Sequence, residues 1–229
     1  DGFGRAGLTD MEKYHREVIA LKTSKNRSVE NLKKKLEIKP TPEFVVNSEE
    51  MNAGSYFKKI LDRKRTELLM ESSRRNIEIP ESLGFGEEIP PDDQAPDLLR
   101  FLYIKDQLVR IGLESGIVSV TSIKHAEKVL TGPDSDTMFI QEYPVRMNIR
   151  GNLKSIMRVL YRMRSRNRFL ILRNLKIESD NRSADQTEPV LGVALSVAGM
   201  TFRDIDSEIR QPTEVKTKPK VPAGVHMGF

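Results

Sequence analysis

A chain of 229 residues has room for one or two domains, and 38% hydrophobic against 31% charged residues is polar for a compact one, so part of it is expected as exposed helix or tail. The absence of cysteine excludes a disulfide framework, thiolate chemistry and a Cys-based metal site, and it fits cytoplasm and periplasm alike. A net charge of +5 does not by itself imply a nucleic-acid partner, no run reaches the ~20 apolar residues of a membrane span, and no signal peptide is visible.

The opening DGFGRAGL is Gly-rich and is expected to fray. Gly2, Gly4 and Gly7 match a dinucleotide fingerprint in letters only, because no strand precedes them and no acidic residue follows at the required place. Residues 9–38 read as a helix, with Met11, Tyr14, Val18, Leu21, Val29, Leu32 and Leu36 mostly three or four apart. So narrow a stripe resembles a coiled-coil seam; a helix packed on its own domain is the alternative. Pro40 and Pro42 end it. A second helix, from about Ser48 to Asn76, carries a seam of Phe57, Ile60, Leu61, Lys64, Leu68 and Leu69, and its run of Lys58, Lys59, Arg63, Lys64 and Arg65 reads as a solvated face. Ile77–Ile79 reads as a short strand. The Pro-rich stretch 80–96 reads as a loop, with Leu83 and Phe85 as anchors.

From Asp97 a helix runs to Ser115, stopped by Gly116. A strand follows over Ile117–Lys124, then a long connection over 125–137. In the next strand Tyr143, Val145, Met147 and Ile149 alternate with Pro144, Arg146, Asn148 and Arg150. Gly151 breaks that strand, Asn152 caps a helix striped by Leu153, Ile156, Met157 and Leu160, and strands follow over Phe169–Ile177 and Val190–Met200. Beyond Phe202 periodicity is lost.

Helix–strand–strand therefore occurs twice, over 97–149 and 152–202. The expected fold is α+β: a helical, coiled-coil-like stalk (1–79), a Pro-rich linker (80–96), a ferredoxin-like αββ-αββ domain with a four-stranded antiparallel sheet (97–202), and a mobile tail (203–229). Two surfaces suit a partner. One is the helical seam, with Leu21 and Leu32. The other is the small-residue row Gly192, Ala194, Ser196 and Ala198 on the last strand, which lets another backbone come close.

Nothing points to catalysis, a cofactor or a metal. His15, His125 and His226 fall in the stalk, a loop and the tail, and none has ligand spacing. Glu87-Glu88 and Asp92-Asp93 sit in a Pro-rich loop with no apolar pocket to raise a carboxyl pKa, and they read as solvated. The sharpest anomaly is basic: Arg158, Arg162, Arg164 and Arg166 belong to a stretch, Tyr143 to Ile177, without Asp or Glu. On a ferredoxin-like sheet that invites an RNA-binding reading, but the aromatic motif that stacks bases is absent. A solvated face or an acidic protein or lipid partner competes with it.

The stretch YPVRMNIRGNLKSIMRVLYRMRSRNRFLILRNLKIES, followed by PVLGVALSVAGMTF, resembles the periplasmic domain of the PilO family of type IV pilus assembly proteins, and is similar also to the M-component of type II secretion. The resemblance implies a non-enzymatic scaffold of an inner-membrane platform. It would lie in the periplasm, act through contacts with itself or a like-folded platform protein, and be held by a membrane anchor absent from this chain. The rival class is an RNA-binding module using residues 146–176. A ligand-sensing domain would need a polar pocket, and the sequence shows none.

Overall fold

The computed structural model describes residues 3–46, 51–131, 140–166, 169–179 and 189–202, with side chains from Lys13 onward except that of Arg166. The expected tail 203–229 lies outside them. Among these residues four α-helices, α1 (Phe3–Leu36), α2 (Ala53–Arg74), α3 (Ala95–Ser115) and α4 (Leu153–Arg166), and a short 3-10 helix (Pro42–Phe44) accompany five strands: β1 (Ser119–His125), β2 (Val129–Thr131), β3 (Ile140–Gly151), β4 (Ile171–Ser179) and β5 (Leu191–Phe202).

The strands form one antiparallel sheet in the order β1-β3-β5-β4, the duplicated helix–strand–strand arrangement expected. The expected count of four gains a fifth, short strand: β2 continues the β1 edge along the start of β3, with Val129 opposite Glu142 and Thr131 opposite Ile140. The period-2 pattern sets the register. Val145, Met147 and Ile149 face Val197, Leu195 and Val193, and all six are buried. A slip of one residue would turn this whole set outward.

Helix ends follow from local chemistry. Asn152 Oδ1 accepts from Ser155 N at 2.8 Å, capping α4. Gly116 takes φ 71° and closes α3. α3 is the central helix, packing on β1 and β3, beside α4 and under α2. Fourteen of its residues are buried, including Leu99, Leu102, Leu108 and Val109.

The segment between α2 and α3 is pinned rather than loose. Glu78 makes a parallel bridge to Ser119, and Val120 N donates to Glu78 O at 2.8 Å, so Ile77–Ile79 closes the outer edge of β1. Gly84, at φ 69°, lies so close to β1 that a Cβ there would sit 1.9 Å from Ile123 O. Glu87 pairs with Lys58 and Arg65, and Asp92 Oδ1 accepts from Gly54 N at 2.8 Å. Two of the acidic residues read as solvated thus hold the loop to α2.

Candidate partner interfaces

Leu21 and Leu32 lie on α1, 58% and 56% exposed, in line with Tyr14 (69%), Val18 (43%) and Val29 (49%). The apolar residues of α2 do not cover this stripe. Phe57, Ile60, Leu61 and Leu68 are buried where α2 packs on α3. Arg110 of α3 reinforces that contact, reaching Glu67 at 3.2 Å and Glu71 at 3.3 Å of α2 and binding its own neighbour Asp106 at 3.0 Å. Lys64, in the middle of the basic run of α2, is buried between Glu43 and Glu67, each 3.0 Å away. α1 joins the domain at its C-terminal end: Ile38 N donates to Met200 O at 2.7 Å. The Ile38 side chain fills the space above Gly199, where a Cβ would lie 2.5 Å from Ile38 Cδ1.

β5 runs between β3 and β4, so Gly192, Ala194, Ser196 and Ala198 form a row in mid-sheet, facing away from the buried Val193, Leu195 and Val197. Ala194 is exposed and Ala198 fully buried. Arg173 of β4 forms an ion pair with Glu142 of β3, spanning the intervening β5. Around Ala194 the same face carries exposed Arg146, Asn148, Asn174 and Lys176.

The basic residues do not converge. Arg162 is paired with Glu114 of α3. Arg158 and Arg164 are exposed but about 120° apart around α4 at 100° per residue, and the side chain of Arg166 lies outside the described residues. Lys176 is paired with Glu178 at 2.6 Å. The chain should therefore show no tight RNA binding at physiological salt in a shift assay. Tight retention that weakened steeply with salt and was lost on replacing Arg162, Arg164 and Arg166 by Ser would contradict this.

Sequence reasoning missed a buried polar centre. Lys105, fully buried on α3, places Nζ 2.9 Å from Leu83 O, 3.2 Å from Gly84 O and 2.9 Å from His125 Nδ1, and 3.6 Å above the Phe85 ring. His125 is the last residue of β1 rather than a loop residue, and its ring lies between those of Phe85 (5.0 Å) and Phe101 (4.7 Å). Burial pushes the Lys105 ammonium down to about 7. Burial, with the neighbouring Lys105 charge, pushes His125 down to about 4. The three neighbours match the three donors of an ammonium, and a change of imidazole tautomer would equally satisfy a neutral amine. Nearby, Asp97 accepts from Tyr143 and Arg100, both at 2.9 Å, and pairs with Lys128. Burial alone would raise its carboxyl pKa, but the hydrogen bonds from Lys128 and Tyr143 hold it below the usual value. These contacts latch the loop, α3, β1 and β3 together. Among the described residues no cluster of His, Asp and Glu could hold a metal ion.

Also unforeseen is an apolar flank on α4. Its buried stripe is Ile156, Val159 and Met163. Leu153 and Met157, expected in the core, are 59% and 56% exposed, with Tyr161 at 72%.

Residues 118–201, the span of β1 to β5, match the family model for type II secretion system protein M, subtype b, and the resemblance read from 143–202 falls almost wholly within that span. Over this stretch the chain is similar to the M-component of type II secretion. No curated protein sequence matches the chain. A structure from Akkermansia muciniphila, determined without its transmembrane region, is 16% identical with a TM-score of 0.61, covering 77% of this chain and 97% of that one. A core-domain structure from the same organism is 15% identical with a TM-score of 0.56, covering 66% and 89%. The type 4 fimbrial biogenesis protein PilO from Pseudomonas aeruginosa aligns at 13% identity and a TM-score of 0.37, covering 65% and 87%. The fold likeness rests on the two Akkermansia structures. No described helix is long and apolar enough to cross a membrane.

Proposed function

We propose that the chain is a non-enzymatic structural component of a type IV pilus or type II secretion-like assembly, placed in the periplasm at the inner membrane and working through contacts with itself or a like-folded platform protein. The observation that carries this is the match of residues 118–201 to secretion protein M. The exposed stripe of α1 supports it. A helix carrying six large apolar side chains in the open is marginal alone in water and gains most of its stability from packing against a mate.

Replacing Leu21 and Leu32 with Asp puts charges into that stripe. Light scattering on the full chain should show the variant in a smaller assembly than the wild type at the same concentration, with the circular dichroism of the domain unchanged because both positions are exposed. A wild type that stays monomeric at high micromolar concentration removes the homodimer and leaves pairing with a different platform protein.

A further inference from the structure

The two edges of the sheet are treated differently. The β1 edge is closed by Ile77–Ile79 and the loop behind it. The β4 edge has no strand beside it among the described residues. The core also runs out past β4 instead of ending beneath it. Leu172 and Ile177, which oppose the buried Val197 and Val193, are 41% and 45% exposed. α4 leads into β4, and the flank it turns away from α3 is the one carrying Leu153, Met157 and Tyr161.

We propose that β4 is the docking strand for β4 of a second copy of this chain, paired antiparallel so that two sheets become one, with the two α4 flanks closing over a shared apolar seam. This rests on the reading of the chain as one that assembles through protein contacts, and adds a surface separate from α1. The strand's own sequence argues for a second copy as the occupant. With Ile177 on the two-fold axis, Lys176 stands opposite the second copy's Glu178, Glu178 opposite its Lys176, and Ile177 opposite its counterpart. Directly opposed residues share a face, so the charges pair on the polar side and the isoleucines on the core side. Moving the axis to Leu175 sets Lys176 against Asn174 and Glu178 against Leu172, which leaves both charges unmatched. Exposed edges are usually guarded by bulges and charges. In β4 the bulge lies between Leu172 and Asn174, upstream of this pairing, and the charge of Lys176 is matched. Lys176 and Glu178 are 71% and 67% exposed, so exchanging partners between copies needs no rearrangement of the fold.

The test uses charge exchange in the full chain carrying Leu21→Asp and Leu32→Asp, which disables the α1 stripe. Sedimentation should still show a concentration-dependent dimer. Lys176→Glu alone, or Glu178→Lys alone, turns two attractive cross-strand pairs into repulsive ones and should weaken the dimer roughly tenfold. Mixing the two single variants should restore association as a heterodimer, and hydrogen exchange at Leu175–Ser179 should slow with concentration in the charge-matched forms only. A dimer indifferent to these charges overturns the proposal. So does a chain that is monomeric in the α1-disabled background, and that result leaves assembly through α1 intact.

Discussion

Replacing Lys105 with Ala should lower the free energy of unfolding by about 3–5 kcal/mol at pH 9, with a smaller loss at pH 6. The size follows from what the side chain holds. Its removal empties a fully buried volume on α3 and leaves Leu83 O and Gly84 O without their donor. The pH dependence follows from linkage. Unfolded, the lysine keeps its proton to its ordinary value of 10.5; folded, only to about 7. Folding therefore releases a proton between those values, and wild-type stability from this group rises with pH across that window. Below it, both states are protonated and the full cost of burying the ammonium is present. The variant lacks this group, so the gap between the two proteins should widen from pH 7 towards 10. His125 acts in the same direction at lower pH: its folded value near 4 lies below the ordinary 6.5, so its contribution is lost as pH falls through that interval. Urea unfolding across a pH series measures both. A gap that is constant from pH 6 to 10 would show that Lys105 stays charged throughout.

Replacing Arg110 with Met should cost a similar amount, about 3–5 kcal/mol at pH 7, with the opposite trend. Arg110 Nε donates to both Asp106 carboxylate oxygens, at 3.0 and 3.1 Å, and the guanidinium ties Asp106 to Glu67 and Glu71 of α2. Without the guanidinium, Asp106 is a buried carboxylate with little compensation. Burial already raises its pKa in the wild type, and removing Arg110 raises it further. A carboxyl with a raised folded pKa loses stability as pH rises through the interval between its unfolded and folded values. The deficit of the variant should therefore shrink as pH falls and Asp106 accepts a proton. A deficit that stayed constant until the pH fell below the ordinary carboxyl range would mean that the contact to Glu67, whose carboxyl is held below its usual value, carries the effect instead of the burial of Asp106.

Much of the sheet was legible because its signals are local. Tyr143, Val145, Met147 and Ile149 alternate, Asn152 caps, Gly116 stops α3, and each does so through its immediate neighbours. Where periodicity alone had to choose a face, it erred. Leu153 and Met157 share a helical stripe with Ile156, but α3 lies on the other flank of α4 and draws Val159 and Met163 inward instead. β2 was missed because three exposed residues carry no pattern; its existence comes from the neighbouring β3. Lys105 was invisible for a stronger reason. A lysine in a helix reads as solvent-facing, and only the fold brings Leu83, Gly84 and His125, from two distant stretches, around its nitrogen. For the candidate interfaces, residue type marked the stripe of α1, but whether α2 would cover it depended on which helix α2 met first.

The seat of Ile38 on β5 has a mechanical meaning. A helix of 34 residues is roughly 51 Å long, and α1 touches the domain at one end, through a parallel bridge between Glu37 and Met200. Such an arrangement is a lever with its fulcrum on an inner strand. A pull on the helix loads the Ile38–Met200 hydrogen bond, and the load passes through β5 to β3, where Met200 pairs with Glu142. A sideways push at the far end acts through the full arm and turns Ile38 against Gly199, the one place on β5 where the absence of a side chain lets a neighbour sit so close. Through this joint a movement of α1 is delivered to the middle of the sheet.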